Sequence, residues 1–126
     1  MTENELSKVI IGAAIEVHKE LGGPGLLEEI YEEALCLELV DRGLRVQRQM
    51  QVPVLFKGRR LKKPLVLDIL VEDKVIIEVK AVEQINPRFN AQLLTYLRLA
   101  EKKLGLLINF GEIRVSEGIH RVVNSL

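Results

Sequence analysis

The sequence predicts an α/β fold, a mixed central sheet flanked by helices, and three patterns predict it. Apolar residues recur at helical spacing through the first third of the chain and again after Asn86. Two apolar runs rich in β-branched residues, 65–71 and 75–79, lie on either side of the polar stretch Glu72-Asp73-Lys74. A third apolar run, 104–110, follows the last helical pattern. Helices and strands in this arrangement pack as layers round a common core. At 126 residues and 48 % hydrophobic content the chain suffices for one domain, 1–126.

Each element has its own signal. Thr2-x-x-Glu5 has the form of a capping box. Behind it Leu6, Val9, Ile10, Ala13, Ala14, Val17 and Leu21 form a helical stripe, which Gly22 and Gly23 end. Pro24-Gly25 is expected to open a second helix that runs to about Arg42 and stops at Gly43. Val46, Arg48, Met50, Val52, Val54 and Phe56 alternate as one face of an extended segment, and Lys57-Gly58-Arg59 reads as its turn. Asn86-Pro87 starts a third helix, with Asn as cap and Pro at the first position. Phe89, Leu93, Tyr96, Leu97 and Ala100 line its inner side. The run 104–110 reads as a further buried strand, and 119–123 is expected to add a short edge strand.

The chemistry concentrates in the two central strands. Asp68, Glu78 and Lys80 are charged residues set into the most apolar part of the chain, where a charge is costly unless paired or bound to a metal. Glu78 and Lys80 share one face of their strand, and Val75, Ile77 and Val79 share the other. With residues 72–74 as a three-residue connection, Val71 opposes Val75 and Asp68 opposes Glu78, which puts the two acids about 5 Å apart on one face. A two-residue loop would place Asp68 on the wrong face. Carboxylates this close repel, and a hard divalent cation, Mg²⁺ or Mn²⁺, removes the repulsion. The plainer alternative is a strand pair in which Asp68 caps a turn and Glu78 and Lys80 form a surface ion pair.

Four elements in order, Gly25-Leu26-Leu27-Glu28-Glu29-Ile30-Tyr31, Asp68, Glu78-Val79-Lys80 and Gln92-x3-Tyr96, resemble the PD-(D/E)XK nuclease superfamily and, within it, the small proteins named for a GxxExxY motif. The likeness runs over residues 11–123. It implies a restriction-endonuclease-like core and metal-assisted hydrolysis of a phosphodiester. Asp68, Glu78 and Glu28 are then the acids that face one or two Mg²⁺ or Mn²⁺, with the Val79 carbonyl as a further ligand. Lys80 is implied to act on the attacking water or on developing charge, and Gln92 and Tyr96 to orient the site or a phosphate. Tyr31, three residues after Glu28, either hydrogen-bonds the site or packs with its hydroxyl at the edge. Where relatives often carry an Arg-Ala pair before the aspartate, this chain has Val66-Leu67. A rival reading keeps the fold but not the chemistry: a non-catalytic module that binds nucleic acid or protein.

Charge distribution bears on the partner. The net charge is zero, but residues 1–41 hold ten acids and two bases, and residues 42–63 hold eight bases and no acid. Local positive surface is what binds nucleic acid. Arg59, Arg60, Lys62 and Lys63 are therefore candidate contacts to DNA or RNA, against the alternative that the basic segment faces the acidic helices. With aromatics at 4 % and neither a helix-turn-helix nor a zinc finger in the pattern, no sequence specificity is implied. His18, in the last turn of the first helix, is assigned a structural role, and the single Cys36 an inert buried one. No apolar run reaches the ~18 residues of a membrane span. The acidic, polar start is unlike a signal peptide, so a cytoplasmic location is expected. A domain this small would gain substrate surface by forming a homodimer.

Overall fold

The computed structural model describes residues 1–126. Helix α1 spans Glu3–Glu20 and α2 spans Glu28–Asp41. Strand β1 (Val46–Val52) leads into a small hairpin, β2 (Leu55–Phe56) and β3 (Arg59–Arg60). The central pair β4 (Leu65–Val71) and β5 (Val75–Lys80) follows, then α3 (Pro87–Ala100), β6 (Leu104–Asn109), a short 3-10 turn (Val115–Gly118) and β7 (Ile119–Val123). Five strands form one mixed sheet in the order β1-β4-β5-β6-β7. Only β5 and β6 run parallel, joined by α3 as a crossover.

The sheet is covered on both faces. On one side Leu6, Ile10 and Ala14 of α1 and Tyr31, Leu35 and Leu39 of α2 pack on Ile69, Ile77, Val79 and Ile108. On the other, Leu93 and Leu97 of α3 pack on Leu67, Leu70, Ile76 and Leu107. Alternation in β5 makes this possible: Val75, Ile77 and Val79 serve the first core and Ile76 the second. The capping box at Thr2, the Asn86 cap with Pro87 behind it and the β7 edge strand all form as expected.

Two expectations are corrected. Pro24-Gly25 does not open α2, which begins at Glu28. Gly25 lies at φ +114°, outside the helical region. The loop is fastened instead by the Tyr31 hydroxyl, which donates to the Gly23 carbonyl (2.7 Å) and accepts from the Leu26 N–H (3.2 Å). The second correction concerns residues 46–56, which do not keep one face. Val46 packs with the α1–α2 core, whereas Met50, Val52 and Val54 pack with the α3 core. Gln49 lies between them at φ +54°, a left-handed conformation that interrupts the alternation. Residues 55–60 form a separate hairpin, turning at Lys57 and Gly58, both at positive φ, as a tight two-residue turn requires.

Candidate active site

The register of the central strands is the one the three-residue connection predicts. Val71 pairs Val75, Leu70 pairs Ile76 and Ile69 pairs Ile77. The ladder ends there, one step short of Asp68 and Glu78. Side chains replace backbone at that point. The Asp68 N–H donates to Glu78 Oε2, and the Val79 N–H donates to Asp68 Oδ2, both at 2.9 Å. Each acid is thus anchored by the backbone of the opposite strand. On its other side Asp68 also lacks a ladder partner. The β1–β4 pairing passes from Arg48–Ile69 directly to Met50–Leu67, leaving out Gln49, the residue at positive φ. Asp68 therefore sits where the sheet is open along both of its edges.

Burial and mutual repulsion shape the protonation of this pair. Glu78 is only 6 % exposed. Desolvation, then the Asp68 charge, push its pKa up to about 8, against the lowering effect of the Asp68 N–H and Lys80. Desolvation likewise pushes Asp68 up to about 6, with Glu32 and Glu28 adding to the rise and the Val79 N–H opposing it. The Lys80 ammonium lies 4.4 Å from the centre of the Phe89 ring, a cation–π contact that holds it on the α3 side. The backbone beyond Lys80 is clamped. Phe110 N–H donates to the Lys80 carbonyl, and the buried Asn109 side chain bonds both the N–H and the carbonyl of Val82. A side chain on Gly111 would come within 2.2 Å of the Val82 carbonyl oxygen, so only glycine fits against this clamp.

Asp68 opens onto a cleft of about 340 Å³ lined by Glu28, Glu29, Glu32, Arg48 and Gln49. Glu28 and Glu32, one helical turn apart on α2, both bear on the Asp68 charge. Glu32 and Gln49 carry no motif in the sequence, and Arg48 stands there only as one residue of the extended segment and of the basic stretch 42–63. Glu32 is 5 % exposed, and it accepts from Arg48 Nε and from Gln49 Nε2 (3.0 and 3.1 Å). The signals for them were the i, i+4 spacing from Glu28 and an arginine placed among the apolar residues of β1.

The other candidates are divided. Tyr96 lies near the pair: burial, then the charges of Glu78 and Asp68, raise its hydroxyl pKa. Gln92 is exposed and makes no side-chain hydrogen bond within the chain. Tyr31 is fully buried and stacked on Phe110 at 4.7 Å, its hydroxyl spent on the loop ahead of α2 and not on the acids. His18 is structural, its Nε2 3.1 Å from the Phe110 carbonyl. Burial pushes the Cys36 thiol up to about 11, which leaves it unreactive near neutral pH. The basic segment splits in two. Arg42, Arg45 and Arg48 pair with Glu38, Glu72 and Glu32. Lys57, Arg59, Arg60, Lys62 and Lys63 are exposed and form no ion pair.

The sequence matches the family model of the PD-(D/E)XK nuclease superfamily over residues 4–122. The chain belongs to that superfamily. No curated protein and no solved structure matches it. The five-stranded mixed sheet between helices is the restriction-endonuclease-like arrangement of this superfamily. Its nucleases typically use divalent metal ions. Each carboxylate of the pair has one oxygen held by a backbone N–H and the other, Asp68 Oδ1 or Glu78 Oε1, without a partner in the chain. Two oriented anionic oxygens of this kind suit a hard cation. No group of three or more His, Cys, Asp or Glu side chains is placed to hold a metal ion, so the fit rests on the Asp68–Glu78 pair alone. Two acids that are costly to ionise together are nevertheless what a cation would relieve. No helix is long and apolar enough to cross a membrane.

Proposed function

We propose that this chain is a divalent-metal-dependent phosphodiesterase of the GxxExxY type that hydrolyses DNA or RNA. One observation carries the reading. Asp68 and Glu78 are each fixed by the other strand's backbone at the point where the β4–β5 ladder ends, with Lys80 on the same strand face as Glu78. Buried carboxylates raised to about 6 and about 8 destabilise an empty site. A function that binds a cation gives them their use.

Asp68 and Glu78 would hold Mg²⁺ or Mn²⁺, with the Val79 carbonyl and, from α2, Glu28. Bound there, the metal would lower the pKa of a water and offset charge on the phosphoryl oxygens. The chain's own groups do the rest. The Asp68 and Val79 N–H groups keep the two acids from turning away. Lys80, steadied over Phe89, would donate to the attacking water or the developing charge. Tyr96 would donate toward the acids from α3, and Gln92, on the exposed turn before it, toward a phosphate. The unpaired Arg59, Arg60, Lys62 and Lys63 on and after the β2–β3 hairpin would neutralise flanking phosphates. Pairing of two copies belongs to the same reading, and exposed Ile30, Leu37 and Val40 on α2 support it.

The test is cleavage of single- and double-stranded DNA and RNA in Mg²⁺ or Mn²⁺. Activity on at least one substrate that stops on chelation is expected. Absence of metal affinity together with absence of cleavage would assign the chain to the non-catalytic binding modules.

A further inference from the structure

The cleft beside Asp68 holds five other side chains, of which Glu32, Arg48 and Gln49 lie outside the four motif elements. Four of its six residues are acids, and Arg48 is its only cation. The guanidinium is not there by default of strand geometry. Gln49 adopts φ +54°, a conformation costly for a residue with a side chain, and leaves the β1–β4 ladder opposite Asp68. That kink lets two consecutive side chains, Arg48 and Gln49, reach the same buried carboxylate, Glu32. Along a regular strand they would point to opposite faces.

Glu32 takes Arg48 through Nε alone. The remaining guanidinium nitrogens make one further contact, a long 3.5 Å approach from Nη2 to the Glu29 carbonyl. The arginine side chain is 37 % exposed, whereas its partner is 7 % exposed. Arginine–carboxylate pairs are frequently bidentate, with two guanidinium nitrogens meeting two carboxylate oxygens. Here one edge is held and the terminal nitrogens are left to the cleft.

We propose that Arg48, aimed by Glu32 and Gln49, is a phosphate-binding residue that receives the nucleic-acid backbone beside Asp68. This rests on the phosphodiesterase reading. Glu32 is then a positioning residue and not a metal ligand, since both of its oxygens are already occupied by donors. The arrangement solves a problem the cleft otherwise has: an anionic substrate must approach Glu28, Glu29 and Asp68, and one fixed cation gives it a landing point.

The experiment uses the full chain and labelled phosphorothioate oligonucleotides, which resist hydrolysis, with Mn²⁺ present and binding read by fluorescence anisotropy across a salt series. Arg48→Met should weaken binding about 10- to 100-fold, the range for a lost charged hydrogen bond, and reduce the salt slope by about one. Arg48→Lys should recover part of the affinity. The double variant Glu32→Met with Arg48→Met separates the roles. Replacing both partners of the ion pair by apolar side chains restores folding stability, so its melting temperature should match the wild type while its binding stays weak. A double variant with wild-type stability, affinity and salt slope would overturn the proposal. Wild-type cleavage assayed in parallel keeps the two readings apart. Binding that depends on Arg48 without any cleavage would defeat the phosphodiesterase reading and leave the anion contact standing. No wild-type binding at all would defeat both.

Discussion

Raising the pH from 5 to 8 should destabilise the metal-free protein, and the carboxylate pair is the cause. Asp68 is raised from 3.8 to about 6 and Glu78 from 4.5 to about 8. Both folded-state values lie above the unfolded ones, so the folded state binds more protons than the unfolded state between them. Stability from these groups is fully present below about pH 3.8 and is lost between 3.8 and about 6 for Asp68 and between 4.5 and about 8 for Glu78. Within that window each titrating group costs up to about 1.4 kcal/mol per pH unit. Summed over the window the loss is on the order of a few kcal/mol, a large fraction of the ~5–15 kcal/mol that holds a domain of this size together. The substitution that isolates the effect is Glu78→Gln. Its amide oxygen can still accept from the Asp68 N–H, and its charge is gone. Denaturant melts at pH 5, 6, 7 and 8 in chelator should show the wild-type midpoint falling and the Glu78→Gln midpoint falling much less. At pH 8 the variant should be the more stable of the two. A wild-type curve that is flat or rises over this range, or a variant no more stable at pH 8, would refute the reasoning.

Other outcomes follow from the same geometry. Lys80→Ala should leave Mn²⁺ affinity near the wild-type value and cut kcat by about 100-fold or more, the usual scale for a lost group acting on charge or water; single-turnover cleavage beside a calorimetric titration checks both halves. Replacing Arg59, Arg60, Lys62 and Lys63 together by alanine should lower the salt slope of nucleic-acid binding by up to about four, one for each phosphate contact. An unchanged slope would reduce the hairpin to a solubilising element. Tyr31→Phe should destabilise the fold by roughly 1–3 kcal/mol, because the Gly23 carbonyl and the Leu26 N–H lose their shared partner. It should leave Mn²⁺ affinity unchanged, which melts and titration of one preparation would show.

How far the site was legible in the sequence depended on whether local chemistry or tertiary shape decided it. The Asp68–Glu78 pairing was legible because the three-residue connection sets the β4–β5 register, even though β4 changes face at Asp68, with Leu67 in the α3 core and Ile69 in the α1–α2 core. Thr2 and Asn86 were legible as caps because the capping chemistry is local. The start of α2 was not, since Gly25 at φ +114° and the Tyr31 hydroxyl act across the loop, and a Pro-Gly pair looks the same in a helix start and a turn. The facing of β1 was misread for a related reason. An arginine and a glutamine give no sign in the sequence that one of them will adopt a left-handed backbone, and that kink moves Met50 and Val52 to the opposite core. Glu32 was missed because α2 is acidic along much of its length, and only the fold shows which carboxylate is buried.

Calorimetric titration with Mn²⁺ at pH 7, in two buffers of different ionisation enthalpy, tests the central claim most directly. Glu78, raised to about 8, is largely protonated at that pH, and a cation seated between it and Asp68 must expel the proton. The account predicts Mn²⁺ binding with release of about one proton per ion, and loss of that binding in Asp68→Asn and in Glu78→Gln. Undiminished affinity in both variants, or binding without proton release, would contradict it.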